Sequence, residues 1–143
     1  MRRALLEVNV LLALLDADHV EHASAWEWLD ADIASGWASC AITENGFVRV
    51  ITQPRYPSPV PTAQALDLLA GAREGGDHEF WSCDVSLLDR GVVDASRLLG
   101  PRQVTDAYLL ALAVSRGGRF VTFDRGLSLA AVPGAGEEHL TVL

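Results

Sequence analysis

At 143 residues, half of them hydrophobic and about a fifth charged, the chain has the size and composition of one compact domain over residues 1–143, which excludes the disordered and fibrous classes. A formal net charge of −8 excludes an all-over basic surface for indiscriminate nucleic-acid binding. It does not exclude a nuclease, because acids gathered around cations and a local arginine patch are hidden in a whole-chain sum.

Arg2 and Arg3 precede an apolar run, as in a secretory leader, but Glu7 and Asn9 interrupt it and no small-residue cleavage site follows. No stretch approaches the roughly 18 uninterrupted apolar residues of a membrane helix, so the expectation is a cytoplasmic protein without membrane attachment. Ala4 to Val8 reads as a buried strand running into a helix over Asn9 to Leu15, with Glu7 at the junction. His19 to Ile33 predicts an amphipathic helix with Ala23, Trp26 and Leu29 inward, and with Glu21, Glu27, Asp30 and Asp32 on a solvated face. Gly36 closes it. Trp37 to Ile42 predicts a second buried strand, and Thr43 the N-cap of a helix through Ile51, with Phe47, Val48 and Ile51 inward and Glu44 in its first turn.

Four of the six prolines fall within Gln53 to Pro61, which predicts an extended, exposed arm, since proline cannot occupy a helix interior. A helix from Thr62 to Arg73 should stop at Gly75 and Gly76, and Glu79 to Trp81 predicts a third strand. Gln103 to Arg116 predicts a strongly apolar helix carrying Thr105 and Asp106 near its start, stopped by Gly117 and Gly118. Arg119 to Phe123 reads as a strand with Asp124 just past it, and His139 to Val142 as a short last strand. This alternation predicts an α/β domain with a mainly parallel sheet and helices on both faces. Its site is expected at the carboxyl ends of the strands.

Glu7, Glu44, Asp106 and Asp124 stand where such a site is built, each among apolar neighbours. Burying a lone carboxylate is costly, and two of them at 4 Å repel by about 4 kcal/mol at an effective dielectric of 20. A cluster of four therefore asks for divalent cations. Oxygen-only ligands point to magnesium, with manganese as the alternative.

Four segments, ALLEVNVLLALLDADHVEH, TENGFVRV, TDAYLLALA and FVTFDRGL, together resemble the ordered motifs of PIN-domain proteins, specifically the VapC-like toxins of VapBC toxin-antitoxin pairs. The resemblance covers nearly the whole chain. It implies a three-layer α/β/α fold and a metal-dependent endoribonuclease that hydrolyses RNA phosphodiester bonds. It places the catalytic, metal-binding acids on Glu7, Glu44, Asp106 and Asp124, with Asn9 and Thr122 as polar neighbours. A homodimer and a cognate VapB-type antitoxin are implied in the same way. The family normally has aspartate at the first acidic position, so Glu7 is a departure that points to weakened activity. A catalytically inactive PIN-fold module that binds antitoxin or RNA is the alternative.

Arg116 and Arg125 flank the last two acidic motifs and are candidates for phosphate contact. His19 and His22 are three apart but lack the further ligands of a zinc site, so they read as helix-start packing or capping residues. Cys40 and Cys83 lack CxxC spacing and read as free, partly buried thiols, while Trp26, Trp28, Trp37 and Trp81 read as core or interface residues. A phosphorelay receiver would carry paired acids after the first strand and a late lysine, and all 11 basic residues here are arginine. A nucleotide-binding fold is disfavoured by the lack of a GxGxxG turn and of a P-loop.

Overall fold

A computed structural model of the protein describes residues 2–143. Five short strands, β1 (Ala4–Leu6), β2 (Trp37–Cys40), β3 (His78–Trp81), β4 (Arg119–Thr122) and β5 (Leu140–Val142), form one sheet. Its order is β3-β2-β1-β4-β5 and every neighbouring pair is parallel. Parallel strands need crossovers, and five helices supply most of them: α1 (Val8–Leu15), α2 (His22–Asp32), α3 (Ala41–Ile51), α4 (Thr62–Arg73) and α5 (Gln103–Ser115).

Because β1 is central and covered on both faces, Ala4, Leu5 and Leu6 are all buried. The two-residue period sends them to different cores. Leu6 joins Leu11, Phe47, Leu69 and Val121 under α1, α3 and α4, whereas Leu5 joins Cys40, Trp81, Leu109 and Phe120 under α5. The chain builds outward from β1 to β2 and β3, then crosses back to lay β4 on the other side of β1. That reversal creates a crevice beyond the carboxyl ends of β1 and β4. The three-layer α/β/α arrangement is as the sequence predicts.

Several elements differ in their boundaries or facing. Helix α1 begins at Val8, one residue early, because Glu7 is its N-cap. Helix α3 follows β2 directly at Ala41, and Thr43 lies inside it. The Thr43 hydroxyl accepts the Cys40 N–H at 3.0 Å and donates to the Cys40 carbonyl at 3.1 Å, which ties the first turn to Cys40, the N-cap residue. Helix α2 starts at His22 and is rotated from expectation, with Ala25 buried, Trp28 and Leu29 half-buried, and Ala23 exposed. The reason lies at the end of α1. Trp26 Nε1 donates to the Leu14 carbonyl at 2.9 Å and His22 Nδ1 sits 2.7 Å from the Ala13 carbonyl. Both side chains thereby satisfy carbonyls that the end of α1 leaves open.

His22 Nδ1 must carry the proton, since a carbonyl only accepts. His19 instead accepts the Glu21 N–H at 3.0 Å, so both histidines are occupied locally. Asp32, expected on a solvated face, pairs with the buried Arg119 at 3.4 Å. The proline-rich segment is no free arm. Tyr56 donates its hydroxyl to Asp16 at 2.6 Å, and the Val60 N–H returns to the Ile51 carbonyl at 3.2 Å. Cys40 is buried, Cys83 is exposed, and both are free. Among the described residues, no helix is long and apolar enough to cross a membrane.

A carboxylate site at the strand crossover

Three of the four predicted acids gather at the crevice. Glu7 follows β1 and is tied to the neighbouring strand, because its N–H donates to the Val121 carbonyl of β4 at 3.0 Å. Its carboxylate turns back to accept the Asn9 N–H at 3.0 Å. Asp124 lies two residues past β4. The buried Thr122 hydroxyl accepts the Asp124 N–H at 3.0 Å, and Asp124 Oδ1 accepts the Gly126 N–H at 2.7 Å, closing a tight turn. Asp106 stands in the first turn of α5. Gln103, the first residue of that helix, donates to the Gly126 carbonyl at 3.2 Å and accepts the Leu99 N–H at 2.9 Å. The loop carrying Asp124 is thus fastened to the helix carrying Asp106.

Two of these carboxyl groups are held above their ordinary values. Burial and then the neighbouring Asp106 push Glu7 up to about 7, with Asp124 adding to the rise and the Asn9 N–H opposing it. Burial and Asp124 push Asp106 up to about 6. Among the described residues none of the three is in a salt bridge. Two half-buried carboxylates, Glu7 and Asp106, beside the exposed Asp124 and without a basic partner, are an oxygen donor set of the kind that suits a hard divalent cation. As the side chains stand, no three His, Cys, Asp or Glu groups among the described residues converge closely enough to hold a metal ion.

Glu44 is not part of this group, which corrects the expected cluster of four to three. Ser39 donates its hydroxyl to Glu44 at 2.6 Å, and Arg73 of α4 lies 3.2 Å from the same carboxylate. Since that hydroxyl proton goes to Glu44, the His78 Nε2 found 2.7 Å from Ser39 must be the N–H that donates to it. Burial and Arg73 both push His78 below its ordinary value. The helix geometry explains the separation. A Cβ on Gly46 would lie 2.6 Å from Val8 at the start of α1, and Glu44 lies about 200° round α3 from Gly46. Glu44 therefore faces α4 and β3, away from Glu7.

Arg116 is also displaced from the site. It ends α5, roughly 15 Å along the axis from Asp106, and is held by the Ser82 carbonyl at 3.0 Å and by Asp84 at 3.2 Å. Arg125, exposed beside Asp124, stays at the crevice, and Asn9 is exposed at the start of α1. Two contributors escape the sequence reading. Arg102 is exposed at the N-cap of α5, and Gln103 makes the tie just described. The signal for Arg102 is its place just ahead of the TDAYLLALA helix. Gln103 carries no signal in the local pattern.

The raised carboxyls give a pH dependence with a definite sign. In the metal-free protein, the stability that Glu7 gains from holding its proton is fully present below its ordinary value of 4.5 and is lost as pH rises through about 7. A cation must displace that proton, so Mn2+ affinity is expected to rise between pH 6 and pH 8, by about tenfold per unit while one proton is released. Titration followed by electron paramagnetic resonance checks it. Glu44→Gln should leave this affinity unchanged, and a parallel loss in that variant would return Glu44 to the metal set.

Comparison with known proteins agrees with this fold. Residues 4–133 match the family described as PIN domain. Ribonuclease VapC44 from Mycobacterium tuberculosis is 66% identical over 141 residues, covering 99% of this chain and 99% of the relative. Ribonuclease VapC38 from the same organism is 47% identical over 143 residues, covering 98% and 99%. Among solved structures, the crystal structure of VapBC2 from Rickettsia felis bound to a DNA fragment from their promoter matches with a TM-score of 0.62. That match covers 98% of both chains at 11% identity, a likeness of fold alone.

Proposed function

Because the chain belongs to the PIN-domain family, as a VapC-like member, we propose that it is an endoribonuclease toxin that hydrolyses RNA phosphodiester bonds with magnesium or manganese. The observation that carries this reading is the set of three carboxylates at the strand crossover, Glu7 and Asp106 half-buried and Asp124 exposed, with no salt-bridge partner among the described residues. Glu7, Asp106 and Asp124 would hold the cation. When bound, it supplies a water of lowered pKa and neutralises charge on the phosphodiester oxygens.

The chain's own residues do the rest. Thr122 and Gly126 fix the turn that presents Asp124, and Gln103 sets that turn against the first turn of α5. The amino end of α5, and with it the positive end of its dipole, lies at the crevice, where a phosphate is favoured. Arg102 and Arg125, both exposed at that end, add the local positive charge that the acidic total hides. No covalent intermediate is required.

Neutralisation by a cognate VapB-type antitoxin and assembly as a homodimer follow from the VapC-like membership. The test of the nuclease reading is cleavage of a mixed transfer and ribosomal RNA pool. Fragments should appear in Mg2+ or Mn2+, vanish with a chelator, and fall by at least about a hundredfold in Asp106→Asn. Chelator-insensitive cutting, or equal cutting by Asp106→Asn, would remove the assignment.

A further inference from the structure

A cleft of about 360 Å³ opens on the α5 side of the sheet, next to the carboxylates. Its walls come from Ile42 in the first turn of α3, Thr105 in the first turn of α5, and Val85, Ser86 and Leu87 in the segment after β3. Tyr108 pins the far wall by donating its hydroxyl to the Val85 carbonyl at 2.8 Å. The interior is mostly apolar, with two hydroxyls at the mouth. Thr105 is exposed and its hydroxyl has no hydrogen-bond partner among the described residues. The Ser86 oxygen accepts the Leu88 N–H at 3.1 Å, which leaves its own proton free to donate.

Two features bear on what such a cleft receives. First, it lies beside the candidate active site, since Thr105 on its wall and Asp106 are consecutive, with Cα atoms about 3.8 Å apart and side chains about 100° apart round α5. A polymer whose reacting bond rests against Asp106 therefore carries its neighbouring group to the cleft mouth. Second, Arg102 and Arg125 stand exposed at the same end of α5, where they can meet the backbone phosphates on either side. The volume lies within the range of small-molecule sites. Unpaired bases are characteristically taken out of the stack into apolar slots and read along their edges by side-chain hydrogen bonds.

We infer that this cleft receives the nucleobase next to the scissile phosphate of an unpaired RNA segment and thereby sets the sequence preference of cleavage. The inference rests on the nuclease reading above. Ile42, Val85 and Leu87 supply the apolar faces, and Thr105 and Ser86 read the edge of the base.

The test uses the intact chain and two variants, Ser86→Trp to fill the cleft and Thr105→Val to remove one hydroxyl while keeping its shape. Cleavage sites in an RNA pool with a randomised unpaired loop are mapped by sequencing, and Mn2+ affinity and melting temperature are measured alongside. Ser86→Trp is expected to lower kcat/KM on the preferred sequence by about tenfold or more, with metal affinity unchanged. Thr105→Val is expected to redistribute the nucleotide found beside the cut. If the unaltered protein cuts the pool and both variants cut the same sites at the same rate, the base subsite is overturned while the nuclease assignment stands. If the unaltered protein cuts nothing in either metal, the nuclease assignment fails and the subsite fails with it. If Ser86→Trp blocks antitoxin association but leaves the cleavage pattern intact, the cleft belongs to a protein partner, which also overturns the inference.

Discussion

Shortening Glu7 to aspartate is expected to raise metal-dependent RNA cleavage by about a hundredfold, the scale of rate that misplacing a reacting group by an ångström costs. The glutamate carboxylate reaches one C–C bond further than aspartate, about 1.5 Å, while magnesium tolerates little departure from octahedral geometry at about 2.0–2.1 Å. In the structure that extra length is used to fold back onto the Asn9 N–H at 3.0 Å, which makes Glu7 the N-cap of its own helix. An aspartate is also a good N-cap, so Glu7→Asp should keep the helix start and melting temperature while changing where the carboxylate oxygens lie. The measurement is initial rate on the RNA pool in Mg2+ and in Mn2+, with Mn2+ affinity beside it. A folded Glu7→Asp that stays inert on every RNA tried would favour the inactive module that binds antitoxin or RNA. Equal rates for the two proteins would show that the longer side chain reaches the productive position after all.

Gly118→Ala is expected to cost about 3 kcal/mol of stability, at the upper end of what overpacking does, and to lower the melting temperature by about 10 °C. The two glycines after α5 have different tasks. Gly117 takes a left-handed φ of 64°, and the Gly118 N–H returns to the Ala113 carbonyl at 2.8 Å. Together they close the helix by the glycine turn that ends many helices. A Cβ on Gly118, however, would lie 2.4 Å from the Trp81 ring and 2.8 Å from the Arg3 carbonyl. That carbonyl is the acceptor for the Arg119 N–H at 2.9 Å, the bond that begins the pairing of β4 with β1. The displaced backbone therefore belongs to the two strands that carry Glu7 and Asp124. Gly117→Ala, which strains only a turn, should cost about 1 kcal/mol. Urea denaturation of both variants decides between them. Equal losses would mean that Trp81 yields and the close approach is unimportant.

Most of the architecture was legible in the sequence because it depends on local patterns. The buried apolar stretches at Ala4 to Leu6 and Arg119 to Thr122, the helix of α4 and the glycine stop after α5 each carry their own signal. Three site acids were legible for the same reason, since a carboxylate at the end of an apolar strand or in the first turn of an apolar helix is conspicuous. Glu44 satisfied that criterion equally well and still stands elsewhere. What separates it from the others is the rotation of α3 about its axis, set by Gly46 against Val8 and by the bonds to Ser39 and Arg73. A linear pattern does not report that angle. Arg116 was misassigned through distance along a helix. Ten residues that look adjacent to an acidic motif carry a side chain to the opposite end of α5.

By itself, then, the sequence determined an α/β chain with parallel strands, an acidic site at their carboxyl ends and the PIN-domain resemblance. The first two follow from apolar periodicity and from the cost of leaving carboxylates among apolar residues, both local properties, and the third from four ordered sequence motifs. Only the tertiary structure decided which acids lie together, that Arg116 is held by Asp84 while Arg125 stays exposed beside Asp124, and that Gln103 ties the loop carrying Asp124 to the helix carrying Asp106. These depend on helix rotation and on contacts between residues distant in the chain, and they are settled when the sheet order brings β4 beside β1.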